Sequence, residues 1–127
     1  IIDLGGFVDQ RSIPVLENAK NIVIPTLGSF LSLVGLVGTI QEVEKFNKNI
    51  VIVINRVDKK EEQSVRTFIN EKGNYPIFSV KSSKCFENIH YQKKSVAQMM
   101  DEVPLRRRSY DGVSKQIWAI INHLKEN

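Results

Sequence analysis

Cysteine occurs once, at Cys85, so no disulfide can close within the chain and no cysteine cluster can hold a metal. A lone cysteine of this kind reads as a small buried hydrophobe. Histidine occurs only at His90 and His123, too far apart for a helical histidine metal pair. No apolar run approaches the roughly 20 residues that span a bilayer. No stretch pairs a charged start with an apolar middle, as a secretory leader does. Those two absences predict a cytoplasmic protein without a membrane partner. Repeats and low-complexity linkers are missing too. So is any glycine-rich loop followed by lysine, the usual backbone cradle for a phosphate chain.

What is present has ordinary globular proportions. Hydrophobic residues make up 42% and charged residues 25% of 127 positions, enough for one domain with a single core. Net charge is +4, and its placement matters more than its size. Residues 1–80 carry nine Lys/Arg and nine Asp/Glu, whereas residues 81–127 carry nine against five. The excess predicts an anionic partner for the C-terminal part. Its densest point is Arg106-Arg107-Arg108, which reads as a loop after Pro104-Leu105, with Lys93, Lys94 and Lys115 able to extend it. Phosphate contact is the functional reading of that cluster, and a solvated surface is the plain one.

Hydrophobic spacing then orders the chain. Ile1-Ile2-Asp3-Leu4-Gly5-Gly6 reads as the end of a buried strand delivering a carboxylate and two glycines. Glycines there let backbone N–H groups approach an anion, although Asp-x-Gly-Gly also makes a plain turn. Ser12 is placed to cap a short helix with Pro14 in its first turn and Ile13 and Leu16 facing inward. Ile22-Val23-Ile24 is a short strand ended by Pro25. Ser29 or Ser32 opens a helix with Leu33, Leu36, Val37, Ile40 and Val43 on one face. Gly35 and Gly38 inside it cost about 1 kcal/mol each against alanine, which predicts close packing on a neighbour.

Ile50 to Ile54 is apolar without alternation, as in a strand covered on both faces. Asn55-Arg56-Val57-Asp58 follows at its C-terminal end. Val65, Phe68 and Ile69 mark a helix with Glu62 and Arg66 spaced for an i,i+4 pair and Gly73 as its stop. Pro76 to Val80 is another strand, and Phe86 and Ile89 mark a short helix after Ser83. The last helix has Val113, Ile117, Ile120, Ile121 and Leu124 as its stripe and Asp111 as its cap. Trp118 reads as partly buried core or a contact surface, and Met99 and Met100 read as packing residues. Strand–helix alternation with short connections predicts an α/β domain around a mostly parallel sheet flanked by helices. Right-handed crossovers would gather Asp3, the Pro25-Thr26 turn, Asn55 and the loop after Val80 at one edge, where such sheets bind ligands.

With those motifs in that order, the chain resembles the ParA/MinD family of deviant P-loop ATPases, in particular ParA-type partition proteins. The matching text is Ile-Ile-Asp-Leu-Gly-Gly, Ile22-Val-Ile-Pro-Thr, Val53-Ile-Asn-Arg-Val-Asp and, more loosely, Phe86-Glu-Asn through Lys94-Ser-Val. The resemblance implies that Asp3 is the Walker B aspartate holding a Mg2+ shell. It implies that Gly6 senses the γ-phosphate, and that Asn55, with Arg56 and Asp58 beside it, contacts the base of ATP. An amide suits that role because it offers a donor and an acceptor side by side. Asn-Arg-x-Asp is also close to the Asn-Lys-x-Asp of GTPases, so adenine and guanine both remain open, with the family favouring adenine.

The family further implies a homodimer, a ParB-like partner protein and non-specific DNA binding through basic residues such as Arg106, Arg107 and Arg108. Its phosphate-binding loop lies upstream of the Walker B strand, and its strand sits between those matching Ile1–Asp3 and Ile22–Ile24. Residues 1–127 therefore read as the C-terminal portion of a longer ATPase, with a gap in its own sheet and no tight nucleotide binding alone. The alternatives are a non-catalytic α/β interaction domain, a MinD-type positioning ATPase and a GTPase. Against MinD, the last helix has a core-like stripe instead of a basic membrane face.

Overall fold

The computed structural model describes residues 1–4 and 8–127; Gly6, and with it the expectation of a γ-phosphate contact there, lies outside the described residues. The elements run α1 (Ile13–Asn18), β1 (Ile22–Thr26), α2 (Phe30–Val43), β2 (Ile50–Asn55), α3 (Lys59–Asn70), β3 (Ile77–Val80), α4 (Cys85–Gln92), α5 (Val96–Glu102) and α6 (Pro104–Glu126). The strands form one parallel sheet in the order β1-β2-β3. This is the α/β architecture that the alternating pattern predicts.

β2 is central, and its apolar run serves two cores at once. Side chains alternate across a strand, so Ile50, Ile52 and Ile54 share one face and Val51 and Val53 the other. The first face packs with Leu16, Leu33, Leu36, Ile40, Val43, Val65 and Ile69 from α1, α2 and α3. The second, through Val53, joins Val80, Cys85, Met99, Tyr110 and Val113 beneath α4, α5 and α6. Ile52 and Ile54 have no exposed surface, each contributing about 1.5–3 kcal/mol relative to exposure. Cys85 is a free thiol and fully buried, as a small hydrophobe should be.

Several boundaries differ from the sequence reading. Residues 1–4 form no strand and are exposed, with Ile2 at 67%. A strand is held by a hydrogen-bonded neighbour, and among the described residues none pairs with that segment. β1 does not stop at Pro25 but continues through it to Thr26. Ile22 N–H donates to Asn49 O, so residues 22, 24 and 26 face β2, and Pro25, which has no N–H, faces the open edge. That is where proline is tolerated in a sheet.

Ser12 does not cap α1 with its side chain; its Oγ closes a turn with Asp9 N–H and Asp9 O. Ser29, not Ser32, is the cap of α2. Among the described residues Gly35 and Gly38 meet no neighbour: a Cβ built on either finds nothing within 4 Å. Gly73 lies beyond the end of α3 and seats the Tyr75 ring, which an added Cβ would meet at 2.6 Å. α6 begins at Pro104, so the three arginines lie in its first turns and not in a loop. Pro104 sits at the helix start, where its missing N–H costs nothing, and nothing stops the helix before Asp111. Asp111 is therefore interior and pairs with Lys115 at 2.6 Å. Among the described residues no helix is long and apolar enough to cross a membrane.

Candidate functional site

Three parallel strands end on one side of the molecule, and the N-termini of α2, α3 and α4 begin there. Helix N-termini carry partial positive charge, so this carboxyl edge favours anions before any side chain is counted. Asn55 closes β2, in register with Val80 of β3. Arg56 turns the chain in the left-handed region at φ 55° while its N–H donates to Val80 O at 2.8 Å. Val57 is buried as the anchor of the turn. Asp58 then caps α3, its Oδ1 accepting from Lys60 N–H at 2.8 Å and Glu61 N–H at 2.9 Å. The four-residue motif is thus a rigid strand-to-helix turn, and one Asp58 oxygen is committed to it.

Asn55 is the member left available. It is half-buried, yet among the described residues its side-chain amide makes no hydrogen bond to protein. It does not cap the turn, the plain alternative for an asparagine after a strand. It lines a groove of about 410 Å³ with Ile24, Pro25, Thr26, Leu27, Ser32, Gly35, Leu36 and Thr39. The groove runs along β1 beside α2, and small side chains at 32, 35 and 39 keep it open. Thr26 is buried, and its hydroxyl donates within the turn to Leu27 O at 3.2 Å.

Asp3 is not brought into this edge by any strand, and its surroundings are exposed. Among the described residues no group of three or more His, Cys, Asp or Glu could hold a metal ion. The metal role of Asp3 therefore rests on the resemblance alone.

The basic cluster divides once the helix is built. Arg106 is half-buried and donates to Gln92 Oε1 at 3.1 Å, tying α6 to α4. Arg107 pairs with Asp101 at 3.3 Å, with both side chains well exposed. Among the described residues Arg108 has no ion-pair partner. Successive helical residues lie 100° apart, so the three side chains fan around α6. Of the lysines expected to extend the patch, Lys94 pairs with Glu102 and Lys115 with Asp111, each at 2.6 Å. Lys93 holds the left-handed C-cap of α4 at φ 52°.

Two features escaped the sequence reading. Lys81 follows β3 directly at the carboxyl edge, in the loop after Val80 that the crossovers place there, although no motif singles it out. The second is a set of exposed apolar side chains in one stretch, Val23, Leu27, Phe30, Leu31 and Val34, the two at 30 and 31 exposed at 77% and 81%. Its signal was visible: residues 21–41 contain no charged residue at all. No family model, curated protein or solved structure matches this chain.

Proposed function

We propose that this chain is the C-terminal portion of a ParA-like, P-loop-type partition ATPase whose carboxyl sheet edge supplies the base side of a nucleotide site. The observation that carries this reading is Asn55, an amide with no hydrogen-bond partner among the described residues, in a groove at the end of the central strand. Its polar atoms reach solvent, so the amide can exchange water for the edge of a base at little cost. Arg56 and the N-termini of α2, α3 and α4 give the same edge the charge that a phosphorylated ligand requires. The unpaired outer side of β1 among the described residues supports the expectation that another strand, bearing the phosphate loop, belongs beside it.

In the intact protein the reaction would be transfer of the terminal phosphoryl group of ATP to water, chiefly by positioning and charge stabilisation. This chain would contribute the base contact and part of the positive edge. A ParB-like stimulator, a homodimer and non-specific DNA binding belong to the same reading. Asn55→Ala in the intact protein is expected to weaken nucleotide binding about tenfold, the loss of one to two hydrogen bonds. Competition between ATP and GTP on the same protein identifies the base. Unchanged affinity in the variant would remove Asn55, and the reading with it.

One observation favours a second reading, a non-catalytic interaction domain. The charge-free surface around Phe30 and Leu31 has the character of a protein contact. A Gly-Lys-rich loop in the upstream reading frame would eliminate that reading; its absence would favour it.

A further inference from the structure

α2 is apolar on both of its sides. Leu33, Leu36, Ile40 and Val43 are buried in the core with β2, and the opposite side carries Phe30, Leu31 and Val34 into water. Leu31, Val34, Gly35 and Gly38 stand at i, i+3, i+4 and i+7, so they form one continuous stripe along the helix. Phe30 flanks it one turn before Val34, and Leu27 adjoins it in the groove that it lines with Gly35. A helix at the surface of a domain turns charged residues to solvent, whereas one that is apolar all round is a buried helix. Residues 21–41 carry no charge. Among the described residues nothing covers the stripe, and a Cβ built on Gly35 or Gly38 meets no atom within 4 Å.

The stripe is complementary to itself in size, large at Leu31 and Val34 and bare at Gly35 and Gly38 one turn on. A twofold interface sets one patch against its own copy. In an antiparallel pair with the axis beside Val34 and Gly35, Leu31 of each copy lies over Gly38 of the other. The two Val34 side chains meet at the axis, and the missing side chains let the helices approach to about 8 Å, the short end of the usual range. Leu27, Phe30, Leu31 and Val34 expose on the order of 400 Å² of mostly apolar surface in each chain. Somewhat over half of an ordinary interface is apolar, so this matches roughly 700 Å² per chain, close to the ~800 Å² of a standard contact. Charge permits it as well. The chain carries +4, so two copies repel unless they meet on a neutral face, and the stripe is one. Glu42, the first carboxylate beyond it, falls at the rim and is already paired with Lys45 at 2.7 Å.

We propose that the outer face of α2 is a homodimer contact, in which two copies pack α2 against α2 in antiparallel about Val34 and Gly35. The two glycines, which cost helix stability and meet no neighbour within the described chain, are where the other copy comes close. The contact uses neither Asn55 nor a nucleotide, so it goes beyond the ATPase reading and does not rest on it.

Sedimentation equilibrium of the whole chain without nucleotide, from micromolar to millimolar concentration, tests it. The mass is expected to rise from 14.5 kDa to twice that value, and the melting midpoint to rise with concentration. Leu31→Glu, at a position exposed in the single chain, should weaken the dimer more than tenfold and leave the circular dichroism unchanged. Gly38→Ala separates the two states. In dilute solution it should raise the midpoint through helix propensity, and at high concentration it should lose that gain as the new methyl group meets Leu31 of the other copy. A mixture of Leu31→Cys and Gly38→Cys chains should form a disulfide-linked pair under mild oxidation faster than either variant alone, while Cys85, fully buried, stays silent. A chain that remains at 14.5 kDa throughout overturns the proposal, and capture of that monomer by phosphatidylcholine vesicles assigns the face to lipid instead. A dimer that survives Leu31→Glu overturns it too, as does cross-linking no faster in the mixture than in the separate variants.

Discussion

Glu62 shows how much one carboxylate can organise. Its Oε1 accepts from Ser79 Oγ at 2.6 Å and from Arg66 Nε at 2.9 Å, while Arg66 also reaches Ile77 O at 3.0 Å. Spacing alone predicts the Glu62–Arg66 pair; that both partners also grip β3 does not follow from local sequence. The Ser79 hydrogen bond, followed by the Arg66 contacts, holds the Glu62 carboxyl below its ordinary value of 4.5. Because the folded value is depressed, this stabilisation is present above about pH 4.5 and is lost as pH falls through the lower folded value. Glu62→Gln is expected to cost about 1–2 kcal/mol at neutral pH and to flatten the acid side of the stability profile. Urea melts at pH 7 and pH 4 check both, and an equally steep acid loss in the variant would exclude Glu62 as its source.

The same scale explains why the candidate site was only partly legible. Asn55-Arg56-x-Asp58 is readable as a motif, but one Asp58 oxygen is spent on a helix cap and Asn55 has no partner among the described residues. A motif states which side chains are near one another. Which of them still has a free hydrogen-bonding group depends on the turn that they build.

Among the elements, α5 is the one not anticipated, although its start is marked. Ser95 and Gln98 form a capping box, Oγ accepting from Gln98 N–H at 3.2 Å and Oε1 from Ser95 N–H at 2.8 Å. The seven residues that follow are too few to show a helical stripe, so only the cap could reveal them. The glycines of α2 misled in the other direction. Gly35 and Gly38 suggest a close neighbour, whereas both face open space. Gly38→Ala is therefore expected to stabilise the chain by about 0.5–1 kcal/mol. A thermal melt with a lower midpoint would show that a contact on this face is already present in solution.

At the scale of the whole molecule, charge is distributed by the way the helices fold back on the sheet. Arg106 is held by Gln92, whereas the exposed Arg107–Asp101 pair is worth little and can exchange for a phosphate. Replacing Arg106, Arg107 and Arg108 together by alanine should lower the salt slope of DNA binding by about two, not three. Fluorescence anisotropy across a salt series measures it, and an unchanged slope would remove the cluster from any DNA surface. Trp118, half-exposed at 52% beneath the Lys125 ammonium, belongs partly to the surface and not wholly to the core.

By itself the sequence determined the alternation of strands and helices, the parallel sheet and the burial of β2 on both faces. Those features follow from local periodicity, and an unbroken apolar run admits no other placement in water. The fate of its opening segment, the length of α6 and the fanning of its arginines were decided only by tertiary structure. A strand needs a neighbour to take its hydrogen bonds, and a helix continues until something stops it.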